Sequence, residues 1–440
     1  MLFHSFNYLV IFLPSVFIIY FLLRKISEND GKVFLIFSGI FFYGYWNIKF
    51  IPLIIFSVLF NFYLTQKMNS IDNKKKRKII LLSGIFCNVI YLGLFKYTDF
   101  LIGNLNYFLN LDIGILGLPF PLAMSFFTFQ TIAYLVDCYD NEIKKHSLKE
   151  YSLFIIFFPQ LIAGPIVKFN NMMKQFNSLD SKFINHKNII LGLTIILIGL
   201  FKKLVLADNL SINVDYGFDN YENINFIESW ISSLSFTFQL YFDFSGYIDM
   251  ATGSALLFNI LLPKNFDSPF KASSLINFWK SWHITLFNFL MHYIYFPILR
   301  SLKKINFFNA MIVTLIVFII SGIWHGPTWG YIIFGTLHGV GIIINHIFNK
   351  MNFFNVNKFY GWLLTIIYVN FTLIFFRSEN LATAFSIIKS MSGFKGFEFN
   401  TNFFDSYFII FIYILTIMIS FFFKNINYLI DNYFQKKEVE

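Results

Sequence analysis

The chain has 440 residues, 57% hydrophobic and only 13% charged, with a mean hydropathy of +0.62 and a formal net charge of +10 at pH 7. Soluble domains carry about a quarter charged residues, so the composition excludes an ordinary soluble enzyme, and no polar block is long enough to form a separate soluble domain. The basic residues sit mainly in short loops, which fits membrane topology rather than nucleic-acid binding.

Apolar runs fall at 6–23, 33–47, 51–66, 79–97, 114–137, 151–168, 188–206, 227–262, 284–299, 308–324, 329–348, 358–376 and 405–424. A bilayer span needs about 20 mostly apolar residues, and only helices or closed barrels satisfy the backbone in lipid. Barrel strands would alternate apolar and polar residues. These runs are apolar all round, so the expectation is an all-α polytopic membrane protein. The first run has no basic region before it and no small-residue cleavage site after it, and reads as a retained helix rather than a signal peptide. The loop "QKMNSIDNKKKRK" (66–78) is the most basic and is placed in the cytoplasm. Counting from it puts the N-terminus outside, "CYDNEIKKHSLKE" inside and the acidic loop "ADNLSINVDYGFDNYENIN" outside. Cys87 and Cys138 lie in or beside apolar runs and form no disulfide framework.

Two runs call for interruptions. The 151–168 run contains Gly164-Pro165 within "FPQLIAGPIVKF", which suits a broken or re-entrant helix. The 227–262 run is too long for one helix, and its "YFDFSGYIDMATG" segment is expected to break it.

Ionisable groups at membrane depth are functional candidates. His325 lies in "SGIWHGPTWG" (321–330), between Trp324 and Gly326, with Trp329 one turn on. His283 lies in "NFWKSWHITL" and His338 in "GTLHG". No His-x-x-x-His or His-Glu-x-x-His spacing occurs among them, so no catalytic metal is expected. For His325 the spacing leaves two readings open: a hydrogen-bonded core histidine, or a base kept dry by the tryptophans that takes a proton from an alcohol or thiol. The core reading is favoured for His338, where neighbouring glycines suggest close helix packing. It also gains weight for His283, whose stretch carries Lys264, Lys271 and Lys280 and looks interfacial. Asp243 and Asp249 either line a cavity or fix a histidine, or else Asp243 pairs with a lysine while Asp249 caps a half-helix. No phosphate-binding Gly-rich loop and no Gly-x-Ser-x-Gly elbow is present, which argues against an ATP-driven pump and a serine hydrolase.

Eight segments in order resemble the membrane-bound O-acyltransferase family, in the bacterial branch that acylates alginate, peptidoglycan or teichoic acid. They are "FFYGYWN", "LGLFKYTDFLIGNLN", "FPLAMSFFTFQTIAYLVDCY", "FPQLIAGPI", "YFDFSGYIDMATG", "FWKSWHITL", "SGIWHGPTWG" and "LIFFRSENLATAFSI". The resemblance implies one integral membrane domain over 1–440: N-terminal helices (1–110), a catalytic core (111–350) and C-terminal helices (351–440). It implies about 11–13 membrane-embedded helices around a central tunnel, some re-entrant or broken. His325 matches the family's active-site histidine and His283 its second histidine. The motif residues Trp324, Trp329, Asp243, Ser245, Asp249, Trp279, Trp282 and Gln160 are expected to line the tunnel or touch substrate. No bound cofactor is implied; the acyl donor is acetyl-CoA or another acyl thioester on the cytoplasmic side. The implied partners are membrane lipid and a periplasmic SGNH-type acetyltransferase, and the implied location is the bacterial inner membrane.

This sequence departs from the alginate pattern at Ala123, Lys280-Ser281, Met291-His292 and Pro327-Thr328, and "FPILRS" lacks a Gly-Gly-Asn that often follows there. Those departures favour acetyl transfer to peptidoglycan muramic acid over transfer to alginate or another exported polysaccharide. D-alanyl transfer to teichoic acid and a non-catalytic transporter or scaffold are the further alternatives.

Overall fold

The computed structural model describes residues 1–178, 182–351, 357–397 and 407–439. The described residues are helical or irregular, with no strand among them. Among the described residues, seven helices are long and apolar enough to cross a membrane: Asn7–Ile26, Ile48–Asn69, Lys74–Lys96, His186–Asp219, Phe307–His325, Trp329–Met351 and Lys358–Arg377. The pair Tyr407–Phe421 and Ile426–Phe434, bent by 41°, makes an eighth if taken as one span. The other apolar runs are helical too, but shorter, interrupted or richer in polar residues. Of the 114–137 run, for example, only Met124–Tyr139 is helix.

The chain divides into two compact units: residues 1–197 with 248–263, and residues 198–247 with 264–440. In the first, the phenylalanine-rich composition becomes packed rings. Phe12, Phe42 and Phe158 meet at centroid distances of 5.1–5.8 Å, in tilted and edge-on contacts that aromatic rings favour. Asn61 and Asn88 exchange amide hydrogen bonds of 3.2 and 2.7 Å between neighbouring helices, which satisfies polar groups that lipid could not. The expected interruption of the 151–168 run is present and begins at Phe157, between Leu148–Ile156 and the short Phe158–Leu161 helix. Pro159 opens that second helix, where its missing N–H costs nothing.

The expected break in the 227–262 run is absent. Phe226–Leu257 is a single helix of 32 residues. It starts with a reciprocal cap: Asn225 Oδ1 accepts from the Glu228 N–H, and Glu228 Oε2 accepts from the Asn225 N–H. Several of its polar residues find tertiary partners rather than interrupting it. Thr237 donates to Asn370 (2.8 Å), Asn370 donates to Ser233 (3.1 Å), and Asp243 pairs with Lys203 (2.6 Å). Gly246 also serves packing rather than breaking: a Cβ there would stand 2.8 Å from the Gly199 carbonyl, so only glycine admits that backbone so closely. Tertiary contacts therefore override the local signal. The reading of Asp249 as the cap of a half-helix falls with the break, since Asp249 lies buried inside the helix.

Candidate active site

His325 is the last residue of the Phe307–His325 helix. The stop is local chemistry. Pro327 disfavours helical geometry at the residue before it, and Gly326 is fully extended (φ −174°, ψ 165°). The chain turns and re-enters helix at Trp329. The two helices close on each other through Gly322 and Gly335. A Cβ on Gly322 would lie 2.3 Å from the Tyr331 carbonyl, and one on Gly335 would lie 2.3 Å from the Phe318 carbonyl. That close approach fixes the loop carrying His325.

The His325 ring is walled by Trp324 (5.0 Å), Phe376 (5.1 Å), Phe334 (5.8 Å) and Tyr331 (6.3 Å, stacked), distances between ring centroids. Trp324 is buried, whereas Trp329 is 47% exposed. The aromatic enclosure is thus built by Trp324 with three rings that the sequence reading did not name. Ser321, four residues earlier on the same helix face, is buried, and its hydroxyl has no hydrogen-bond partner among the described residues.

His283 sits between the Leu275–Ser281 and Ile284–Phe289 helices, in left-handed backbone geometry (φ 44°, ψ 51°). Non-glycine residues adopt that conformation at a cost of about 1–3 kcal/mol, and such strain collects at functional sites. His283 is 2% exposed, so it is a core residue and not an interfacial one. Its ring contacts Phe244 (4.9 Å) and Trp324 (6.4 Å). Burial first, and the nearby charge of His325 second, push its pKa down, so the ring is neutral. Trp324 packs against both histidines, and the "YFDFSGYIDMATG" helix reaches His283 through Phe244. Asn265, absent from the sequence reading, holds His283 Nδ1 at 3.2 Å.

The remaining candidates separate into other settings. Trp279 donates its indole N–H to His338 Nδ1 (3.1 Å), and Thr372 meets His338 Nε2 (2.9 Å). Trp282 is stacked on Phe278 at 5.6 Å, with Phe266 edge-on at 5.1 Å. Asp243 pairs with Lys203, as one of its two readings anticipated, and Lys203 also pairs with Asp208 at 2.9 Å. Ser245 is buried, and its hydroxyl has no partner among the described residues. Gln160 and Asp249 belong to the first unit. Gln160 donates to the Phe154 carbonyl, in the last turn of the helix that ends before Phe157, where carbonyls lack helical partners.

A multi-pass helical membrane protein that gathers two histidines around one buried tryptophan has the ingredients for proton-transfer chemistry. Comparison with known proteins gives the class its name. Residues 40–388 match the membrane-bound O-acyltransferase family, and the chain belongs to it. It is 40% identical to the peptidoglycan O-acetyltransferase of Helicobacter pylori, over 90% of this chain and 80% of that protein. It is 31% identical to a probable alginate O-acetylase of Pseudomonas syringae pv. tomato, over 90% of this chain and 76% of that protein. It is 26% identical to the teichoic acid D-alanyltransferase of Bacillus subtilis, over 55% of this chain and 62% of that protein. The protein is a multi-pass membrane acyltransferase of the O-acetyl-transferring kind.

Proposed function

We propose that this enzyme moves an acetyl group from a cytoplasmic thioester, acetyl-CoA, across the inner membrane for O-acetylation of peptidoglycan muramic acid. The whole chain is taken as one acyltransferase domain, with a periplasmic SGNH-type partner completing the transfer onto the polymer. The observation that carries the reading is the pair of histidines sharing Trp324. The similarity to the H. pylori peptidoglycan O-acetyltransferase over most of both chains supports the choice of polymer.

The chemistry follows from the groups present. The acceptor hydroxyl oxygen attacks the thioester carbonyl, the C–S bond breaks, and His325 takes the hydroxyl proton and returns it to the leaving thiolate. General-base assistance of this kind contributes about 10²–10⁴-fold. Holding the two reactants together in an enclosed path removes the cost of bringing them into contact. Trp324, Phe334 and Phe376 around His325 are apolar walls that would keep water from competing for the acyl group.

The test is base-labile acetate on purified peptidoglycan from cells with the protein, without it, and with His325→Ala at matched membrane level. Acetate should fall to the deletion level in the mutant, a loss of about 10²-fold or more in transfer. Unchanged acetate in both deletion and mutant would overturn the assignment to peptidoglycan. Loss in the deletion alone would remove His325 from the chemistry.

A further inference from the structure

The loop before the first histidine motif, "LLPKNFDSPF", holds a side chain whose bonding is unusually specific. Asn265 is 1% exposed. Its Oδ1 accepts three hydrogen bonds: from the Thr285 backbone N–H (3.1 Å), from the Thr285 hydroxyl (2.8 Å) and from His283 Nδ1 (3.2 Å). Its backbone carbonyl accepts from the Ile284 N–H (2.9 Å). One residue thus holds the His283 ring and the two residues that follow it.

The orientation of the amide follows from chemistry. The Thr285 backbone N–H can only donate, so the group facing it must be the amide oxygen; the flipped amide would set donor against donor. The same oxygen faces His283 Nδ1, so Nδ1 must carry the ring proton, and in the neutral ring Nε2 then holds the lone pair. An aspartate could cap the helix equally well, but its charge beside Nδ1 would favour the protonated ring. An amide orients the ring without charging it. The choice also has a cost. The Asn265 Nδ2 is buried with no hydrogen-bond partner among the described residues, and an unmet buried donor costs about 1–3 kcal/mol.

We infer that Asn265 is a positioning residue of the active site: it holds His283 as the neutral Nδ1–H tautomer, with Nε2 presented as the proton acceptor. The use of that lone pair rests on the acyl-transfer reading above; the tautomer itself does not. His325 is a titratable group that acts on His283, so variants are compared with His325 intact.

The experiment is nitrogen NMR of the purified full-length protein with 15N-histidine, the His283 signals being assigned by their loss in His283→Gln. Across about pH 5 to 8, where an ordinary histidine titrates, His283 should stay neutral with the proton on Nδ1. Asn265→Asp keeps the oxygen acceptors and therefore the fold, and should shift His283 toward the doubly protonated form at neutral pH. Asn265→Ala should release the tautomer preference and lower cellular acetate transfer about 10–100-fold, as losing an orienting partner typically does. A wild-type proton on Nε2, or His283 signals unchanged in both variants, would overturn the inference. The expected tautomer in a protein that leaves peptidoglycan acetate unaffected would instead defeat the acetylation reading and leave Asn265's role standing.

Discussion

His283 and His338 lie in the same unit and are both buried, at 2% and 0% exposure, yet they are held in opposite ways. At His338 the partner of Nδ1 is an indole N–H, which can only donate, so Nδ1 holds the lone pair and Nε2 the proton. That proton goes to Thr372 Oγ1, whose own hydroxyl donates to the Val369 carbonyl (2.8 Å). The ring ties the Leu275–Ser281, Trp329–Met351 and Lys358–Arg377 helices together from regular helical backbone. At His283 the partner of Nδ1 is an acceptor, so Nδ1 itself carries the proton, and the residue stands in strained left-handed geometry. Burial alone therefore does not separate a packing histidine from a reactive one. The chemistry of the partner and the strain of the backbone are what distinguish the two, and the reactive role proposed for His283 rests on them.

The comparison is broken or sharpened first at His283. His283→Gln keeps a polar side chain but removes the ring base. Peptidoglycan acetate should fall about 10²-fold, within the range for general acid–base groups, with the membrane level unchanged. Retained acetate would make His283 a second packing histidine. His338→Leu is the counterpart, with a smaller effect of another kind. It leaves the Trp279 N–H without its acceptor in the core, which costs about 1–3 kcal/mol. The detergent-purified variant should unfold at lower temperature while transfer per folded molecule is kept. Lost transfer at an unchanged unfolding temperature would move His338 into the chemistry.

The class of fold was legible because lipid leaves the backbone few options, and long apolar runs declare themselves. An interruption of the 151–168 run was legible because proline acts locally, although it begins at Phe157, ahead of Gly164-Pro165, and the same logic places His325 at a helix end before Gly326-Pro327. The Phe226–Leu257 helix was misjudged for the opposite reason: the groups that satisfy Thr237 and Asp243 come from Asn370 and Lys203, distant in sequence. Asn265 was invisible on the same ground. It acts on His283 across eighteen residues, and no short-range pattern marks an asparagine that will accept three donors. Phe334 and Phe376 were hidden among many phenylalanines, and only packing shows which of them reach His325.

The smallest effect is expected at Asp243, one residue before the phenylalanine that touches His283. Its carboxylate pairs with Lys203 at 2.6 Å, and Lys203 is shared with Asp208 at 2.9 Å. Because Lys203 keeps Asp208 as a second carboxylate partner, losing the Asp243 pair is expected to cost at most about 1 kcal/mol. Lys203 also lies in a π-helical stretch, Phe201–Ala207, a geometry that often marks functional positions. Asp243→Asn removes one charge and keeps the shape, while Asp208 continues to hold Lys203. Acetate transfer within about twofold of wild type, with stability changed by less than about 1 kcal/mol, is expected of a residue that serves the lysine. A loss as large as that of His283→Gln would mean that the carboxylate meets the substrate, and would extend the reactive region from the histidine turn onto the long helix. The two faces of one helical turn would then do different work: Phe244 packing His283, and Asp243 addressing the substrate.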